Sequence, residues 1–441
     1  MKKRNAMRRL LPVVLSLGFL LTGCSGEAAS SAESTEEITL SAVNLAEGVQ
    51  QTKAGEAVIP ESHSRALSTG AVKLLTKTLE EAPDENVLIS PLSLQMAFGM
   101  LTAGTTEGSV TEKELMEFLM PGETAVPADM NAEMATIAER MRSAEDVDWN
   151  VVNSVWLKKD GNVKLKDSFL SDAVNSYQAE FYSAPFDAGT VGEINAWVKY
   201  NTRERIPKIV DSLDPETSLV LVNALAFDGE WNTEIEPHRV KQNSDFNNAD
   251  GSVSGVNMMQ TEEHGYVQIA GGKGFLKSYK GGNYCFLGLL PPEGMTPEAY
   301  LLSVLSGQET LADAIRQADY EPTLKVSFPE FRAEYGTEMA KILQKSGVNK
   351  AFRPEAEFGN MITEDSEGVA IGEVVHRTMI EVDRTGTKAA AATEIAVTEA
   401  GLPDPETIVE ISLDRPFIYG IIDRKAGIPV FLGVQNKAAH E

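Results

Sequence analysis

A chain of 441 residues, 42% of them apolar, is long enough to bury a sizeable core in one large domain or in two to three ordinary ones. Its formal net charge of −26 repels phosphates at long range, which excludes nucleic acid as a natural partner. With only Cys24 and Cys285 available, no disulfide framework can form, and the fold must be held by its core.

The first residues, MKKRNAMRRLLPVVLSLGFLLTGC, have a basic head, an apolar run from Leu10 to Leu21 and a small-residue end, the pattern of a secretory signal and not of a spanning helix. Leu21-Thr22-Gly23-Cys24 looks like a bacterial lipobox. Residues 1–23 are then the lipoprotein signal peptide, and Cys24 becomes a lipidated N-terminus that holds the secreted chain at a cell surface or membrane. Each buried methylene of an acyl chain adds roughly 0.8 kcal/mol, so several chains on one residue anchor stably. The competing reading is a chance cysteine at an ordinary cleavage site. Residues 24–62, rich in Ser, Ala and Glu, read as an acidic flexible tether, with room for a short ordered piece near Ile38–Val43.

From residue 63 the pattern changes. In SRALSTGAVKLLTKTLEE, Leu67, Ala71, Leu74, Leu75 and Thr78 share one helical stripe, which predicts an amphipathic helix. NVLISPLSLQMAFGMLTAG reads as a short strand, a Ser-Pro break and a helix apolar enough to be buried all round. VDWNVVNSVWLKKD and SLVLVNALAFDGEW read as long buried strands. GYVQIAG, GNYCFLGLLPPEG, TLKVSFPEF, VVHRTMIEVD, VEISLDRPFIYGIID and PVFLGV follow as shorter β-like runs bounded by Gly, Pro or Asp. Helices crowd the first half and strands the second, which predicts a single α+β domain over 63–441 with several sheets. Cys285 sits among strand-like apolar residues as a core thiol.

Motifs for catalysis are absent. The five histidines, His63, His238, His264, His376 and His440, form no HExxH or other close metal-ligand pair, and no phosphate-binding Gly-rich loop occurs. GSVSG at 251–255 carries Val253 where a nucleophile elbow needs serine. A carboxylate pair for glycoside hydrolysis leaves no local signature, and nothing points to one. The expectation is no enzyme, no metal and no cofactor.

TGTKAAAATEIAV, residues 385–397, is helix-prone in its Ala run yet continues into β-branched residues and GLPDPE. As a strand, one face would be Thr387, Ala389, Ala391, Thr393, Ile395 and Val397, small and uncharged, and the other would hold Lys388 and Glu394. The first face can be buried.

From about 63 to 436 the chain resembles the serpins, inhibitors of serine and some cysteine proteases. The resemblance rests on ten stretches in order: NVLISPLSL, NSVWLKKD, INAWVKYNTRERIPKIV, LVLVNALAFDGEW, VNMM, LLPPEG, VVHRTMIEV, GTKAAAAT, RPFIYGI and VFLGV. It implies three β-sheets, about eight or nine helices and an exposed reactive loop near the C-terminus. It further implies that a protease cleaves this loop and that residues 386–398 then insert as a new strand in the central sheet.

By the same resemblance Gly386, Thr387, Ala389, Ala391 and Thr393 form the hinge, with Thr387 and the alanines entering the sheet first. Ser90, Ser93, Asn223 and His376 form a polar shutter network, and Trp231 marks the breach at the top of the sheet. The family's usual spacing puts the scissile bond at Ala400-Gly401, within a range from Thr398 to Leu402. Alanine there favours elastase-like or subtilisin-like proteases, and Glu399 would select a Glu-preferring one. This chain departs from the family where a Glu before the hinge pairs with a basic residue after a strand-ending proline. Here the positions hold Arg384 and Glu330, which suggests an ion pair with both signs swapped.

The leading expectation is a monomeric, membrane-tethered, irreversible inhibitor whose partner is a target serine protease held covalently. The alternative is a non-inhibitory serpin acting as a surface binding module. A solute-binding lipoprotein would need two similar α/β lobes, which this order of elements does not suggest.

Overall fold

The computed structural model describes residues 38–50, 52, 55–159, 162–214, 216–387 and 408–438. Expectations for the signal, Cys24, Ala389, Ala391, Thr393, Ala400 and Gly401 lie outside the described residues.

The helical stripe read from SRALSTGAVKLLTKTLEE becomes the helix Glu61–Glu81, with Leu67, Ala71, Leu74, Leu75 and Thr78 all buried. The strand Val87–Ile89 ends at Ser90, which caps the next helix by accepting from Ser93 N, while Pro91 takes the first helical position, where no N–H is needed. That helix, Pro91–Ala103, is buried from Pro91 to Thr102, as its nearly all-apolar sequence requires. Among the described residues there are nine α-helices and three sheets, so the α+β class with three sheets holds.

The largest sheet runs, edge to edge, Val43–Asn44, Glu180–Ala184, Val147–Lys158, Leu219–Glu230, Gly386–Thr387, Glu373–Val382, Phe331–Glu338. A six-stranded sheet contains Val87–Ile89, Ile428–Gln435, Phe417–Asp423, Tyr284–Leu290, Gly272–Ser278 and Tyr266–Ile269, and a four-stranded sheet Ile408–Ser412, Thr323–Pro329, Val253–Glu263 and Val240–Asn247. Cys285 is fully buried in the six-stranded sheet, and burial pushes its thiol up to about 12, so it is inert core.

The unbroken apolar run of Leu219–Glu230 follows from burial on both faces. Leu219, Leu221, Leu225 and Phe227 enter the main core, while Val220, Val222 and Ala224 face a second cluster under Ile194, Trp197 and Val198 of the helix Ala188–Asn201. Val375, from the strand Glu373–Val382, belongs to the same second cluster. This helix therefore lies over the line where those two strands meet.

Much of the segment read as tether packs on the body, since one compact unit spans Ile38–Glu441. Val43 and Asn44 pair with Ser183 and Tyr182, Leu45 N donates to Phe181 O at 2.8 Å, and Glu193 accepts from Ser41 N at 2.6 Å and Ala42 N at 3.1 Å. The strand Glu180–Ala184 would otherwise be an edge with unpaired backbone groups, and this segment satisfies them. Leu45, Ala46, Val49 and Ile59 pack on the main core with neither helical nor strand spacing, which is why they looked like scattered aliphatics in a linker.

Candidate functional site

Strand direction defines the site. Leu219–Glu230 is antiparallel to Val147–Lys158 on one side, and Glu373–Val382 is antiparallel to Phe331–Glu338 on the other, but the two inner strands run parallel to each other. They pair from Val220/Glu373 to Ala226/Met379, with Asn223 opposite His376. A strand antiparallel to both would fit between them and restore alternation. Its first two residues are already in place above the paired stretch: Gly386 lies opposite Glu230, and Thr387 lies between Gly229 and Val382.

The chain reaches this position through a tight reversal at 383–385. Asp383 Oδ1 accepts from the N–H groups of Thr385 and Gly386 at 2.6 and 3.0 Å. Gly386 has no room for a side chain, since a Cβ there would sit 2.2 Å from the carbonyl oxygen of Gly229. Thr387 is fully buried, with Oγ1 2.6 Å from Tyr279 Oη. The expectation that Thr387 enters only after cleavage is corrected here, because it is seated in the uncut chain. Tight reversal and a glycine against a backbone carbonyl allow two residues to enter without parting the strands below.

Trp231 holds the reversal from the side. Its Nε1 donates to Asp383 O at 2.8 Å, its N donates to Thr385 O at 2.9 Å, and its ring stacks on Tyr279 with centroids 4.6 Å apart. Lys277 lies 5.4 Å over the same ring and donates to Glu263 Oε1 at 2.6 Å and Thr233 O at 3.1 Å. A lysine only 1% exposed is tolerable because it is paired and hydrogen-bonded. Burial raises the Tyr279 pKa well above 10, so its hydroxyl stays neutral beside Thr387. Sequence reading passed over Tyr279, Lys277 and Glu263. Strand alternation does put Lys277 on the same face as Phe275 and Tyr279, which was the available signal.

Arg384 and Glu330 are not partners, and the swapped pair is corrected. Arg384 forms its ion pair with Glu234, and Ile235 N donates to Arg384 O at 2.9 Å. Glu330 Oε2 accepts from Asn257 Nδ2 at 3.0 Å, and its N donates to Asn257 O at 2.8 Å. The reversal at 383–385 carries Arg384 onto the chain just after Trp231, while the backbone bond to Asn257 fixes Glu330 beside the four-stranded sheet.

Beneath the paired stretch, Ser90, Ser93, Asn223 and His376 come together as one buried network. His376 Nε2 accepts from Ser90 N at 3.1 Å, so the hydrogen-bond pattern assigns its proton to Nδ1, which donates to Asn223 Oδ1 at 2.6 Å. Asn223 Oδ1 also accepts from Ser93 Oγ at 2.8 Å, and Nδ2 donates to Ser93 O at 3.0 Å and to Asn153 Oδ1 at 2.5 Å. Ser90 Oγ donates to Val430 O at 2.8 Å within the six-stranded sheet, so the bond from Ser90 N to His376 ties that sheet to the seven-stranded one. Asn153 completes the network and was missed as a site residue, although it stands among apolar residues of NVVNSVW as Asn223 does in LVLVNALA. Among the described residues its own Nδ2 has no partner.

A three-sheet α+β domain whose central sheet has a parallel inner pair, with two residues of its own chain seated between the upper ends, defines the class. The family model described as Serpin (serine protease inhibitor) matches residues 65–437, and the chain belongs to the serpin family. It is 30% identical over 373 residues to Serpin-Z2A of Triticum aestivum, covering 81% of this chain and 92% of that protein. The thermophilic serpin tengpin in its native state is 31% identical with a TM-score of 0.81, covering 90% of this chain and 99% of that one. Tengpin in its latent state, 29% identical, gives 0.72 with coverage of 88% and 100%. Thyroxine-binding globulin in complex with thyroxine, 23% identical with a TM-score of 0.73 and coverage of 86% and 99%, shares the fold.

Two predictions follow from this geometry. Burial pushes the His376 pKa down to about 3 from an ordinary 6.5, so the folded state keeps it neutral while the unfolded chain protonates it. Its contribution to stability is fully present above about pH 6.5 and is lost as pH falls toward about 3. The unfolding midpoint of the wild type is expected to fall more steeply from about pH 7 to about pH 4 than that of His376→Gln, and equal slopes would remove His376 as the cause. For the reversal, Arg384→Ala and Glu234→Ala are expected to be non-additive by up to about 1 kcal/mol in a double-mutant cycle, as for a half-exposed pair. Arg384→Ala with Glu330→Ala is expected to be additive.

Proposed function

We propose that this serpin is an irreversible suicide-substrate inhibitor of serine proteases, an inhibitor and not a catalyst. The observation that carries the reading is the seam itself: two parallel inner strands with Gly386 and Thr387 already seated antiparallel between their upper ends. A protease would attack the Ala400 carbonyl with its serine oxygen, forming an ester, while the Gly401 nitrogen takes a proton and leaves as an amine. The freed segment would then continue downward from Thr387, with Ala389, Ala391 and Thr393 turned to the buried face. Small side chains suit this path, because insertion competes with hydrolysis of the ester. Trp231, Tyr279 and the 383–385 reversal would guide entry, and the Ser90, Ser93, Asn223 and His376 network would hold the lower seam until then. Alanine at the cut favours an elastase-like or subtilisin-like target.

In assays against small-pocket and Glu-specific proteases, at least one is expected to give a complex stable in SDS, with release of a C-terminal peptide beginning near Gly401. The cleaved chain is expected to melt far above the intact one. Gly386→Ala, whose new methyl group would meet the Gly229 carbonyl, is expected to be cut normally yet release active protease. Cleavage without a covalent band or a rise in melting temperature would replace this reading with that of a non-inhibitory binding module.

We further propose that Cys24 is lipidated and tethers the folded body to a membrane, on the strength of LTGC following a signal-like run. Wild type is expected to partition into detergent and Cys24→Ser into the aqueous phase. A wild-type chain recovered free, with another N-terminus, would refute the anchor.

A further inference from the structure

Strand registers fix where the chain enters the body. Asn44 lies opposite Tyr182, Tyr182 opposite Trp156 and Trp156 opposite Val220, so Asn44 stands level with the lower end of the seam. Val43, opposite Ser183 and level through Leu157 with Leu219, is one step lower. Just before it, Ser41 N and Ala42 N donate to the Glu193 carboxylate. Glu193 lies one helical turn before Trp197, whose ring meets Tyr182 with centroids 6.1 Å apart. From there the helix Ala188–Asn201 climbs toward Arg203 and Arg205, which pair with Asp148 and Asp228 near the upper ends of their strands. The chain therefore arrives from below, at the pole opposite Gly386.

The same registers fix where a cut segment would end. Thr387 lies opposite Gly229, and stepping down that strand from Gly229 to Val220 brings Ala396 opposite Val220. Ala400 then falls about four residues, roughly 13 Å, beyond the lower end of the seam. In the strand order the seam lies about four strand spacings, roughly 19 Å, from Val43–Asn44. A body bound at Ala400 and the chain running down from Val43 thus share one pole, side by side.

We propose that the trapped protease is carried from the outward pole to the membrane-facing pole, where it ends between the inhibitor's body and the membrane that holds the anchor. The inference rests on the covalent trap and the lipid at Cys24 already proposed. From Cys24 to Ile38 the chain spans at most about 50 Å when extended and about 20 Å as a flexible coil. A protease domain of about 220 residues is about 45 Å across. The extended tether is long enough to admit it, and the relaxed tether is short enough to press it toward the lipid. Before the cut the loop stands above the roughly 30 Å of the seam, facing away from the membrane, where a protease arriving from outside meets it unhindered. Inhibition then retains that protease at the surface.

The test is energy transfer from a dye-labelled protease to acceptor headgroups in phosphatidylcholine vesicles that carry the full lipidated chain. Pancreatic elastase or subtilisin is used, whichever gives the covalent band with the soluble Cys24→Ser chain. With its catalytic serine replaced by alanine, the protease binds the uncut loop and transfer is expected to be weak. The active protease, once trapped, is expected to give several-fold more. A Gly/Ser stretch of about 30 residues inserted after Gly26 is expected to lower transfer from the trapped protease and leave the yield of covalent band unchanged. Equal transfer from the two proteases, or transfer that the longer tether does not lower, would overturn the proposal while the band keeps the inhibitory reading standing. No band with the soluble chain would overturn that reading and this proposal with it, and a wild-type chain that does not float with the vesicles would do the same through the anchor.

Discussion

The parallel register between Leu219–Glu230 and Glu373–Val382 is the constraint on which the rest of the structure depends. Each of these two strands is antiparallel to its outer neighbour, so the alternation on either side is broken across the seam. Parallel ladders are slightly less stable per residue than antiparallel ones, and here one parallel ladder stands where two antiparallel ladders could form around an added strand. The uncut fold therefore keeps unused pairing capacity at its centre. Gly386 and Thr387 begin to use it, and nothing in the direction of the flanking strands would stop the residues after them.

What holds the seam closed is distributed over both faces. On one side the Ser90, Ser93, Asn153, Asn223 and His376 side chains bridge the two strands and the helix Pro91–Ala103. Each of these bonds is worth only about 1 kcal/mol net, but an added strand would have to separate Asn223 from His376 and leave buried groups unmet until new partners formed. On the other side Val220, Val222 and Ala224 share an apolar cluster with Val375 beneath Trp197. Adding a strand moves Val375 away by a strand spacing of about 4.8 Å, so this packing must also open and re-form. Barriers of this kind slow a transition without making its end point unfavourable.

Much of this was legible in the sequence because the relevant signal was burial. SLVLVNALAFDGEW is apolar on both faces, which only a covered sheet explains, and Asn223 within it and His376 within VVHRTMIEVD were polar residues in apolar company. Ser90 was legible as a cap because Pro91 follows it. Three features were not. Residues 38–50 join the body by completing a sheet edge, a backbone requirement that leaves no periodic pattern. Lys277 drew no reading, because the Glu263 that makes its burial tolerable lies on another strand. Arg384 was assigned to Glu330 because those positions pair in the family with the opposite signs, whereas the reversal at 383–385, which no composition signal encodes, sends it to Glu234.

The covalent path of the chain explains why a cut would matter. Continuing from Thr387 opposite Gly229 to a position opposite Val220 takes about nine more residues in extended form, roughly 30 Å. In an uncut chain the remaining residues, about eleven, must then run back from the bottom of the seam to Ile408, which stays paired to Thr323 in the four-stranded sheet. Eleven residues span at most about 40 Å and must retrace the roughly 30 Å of the seam, so the return would lose much of the conformational freedom that favours leaving it outside. In the proposed reading, severing the chain near Ala400 would remove the return altogether. The same added ladders would then form without stretching any segment, and the balance would shift toward the filled sheet through the loss of a connection and not through any new contact.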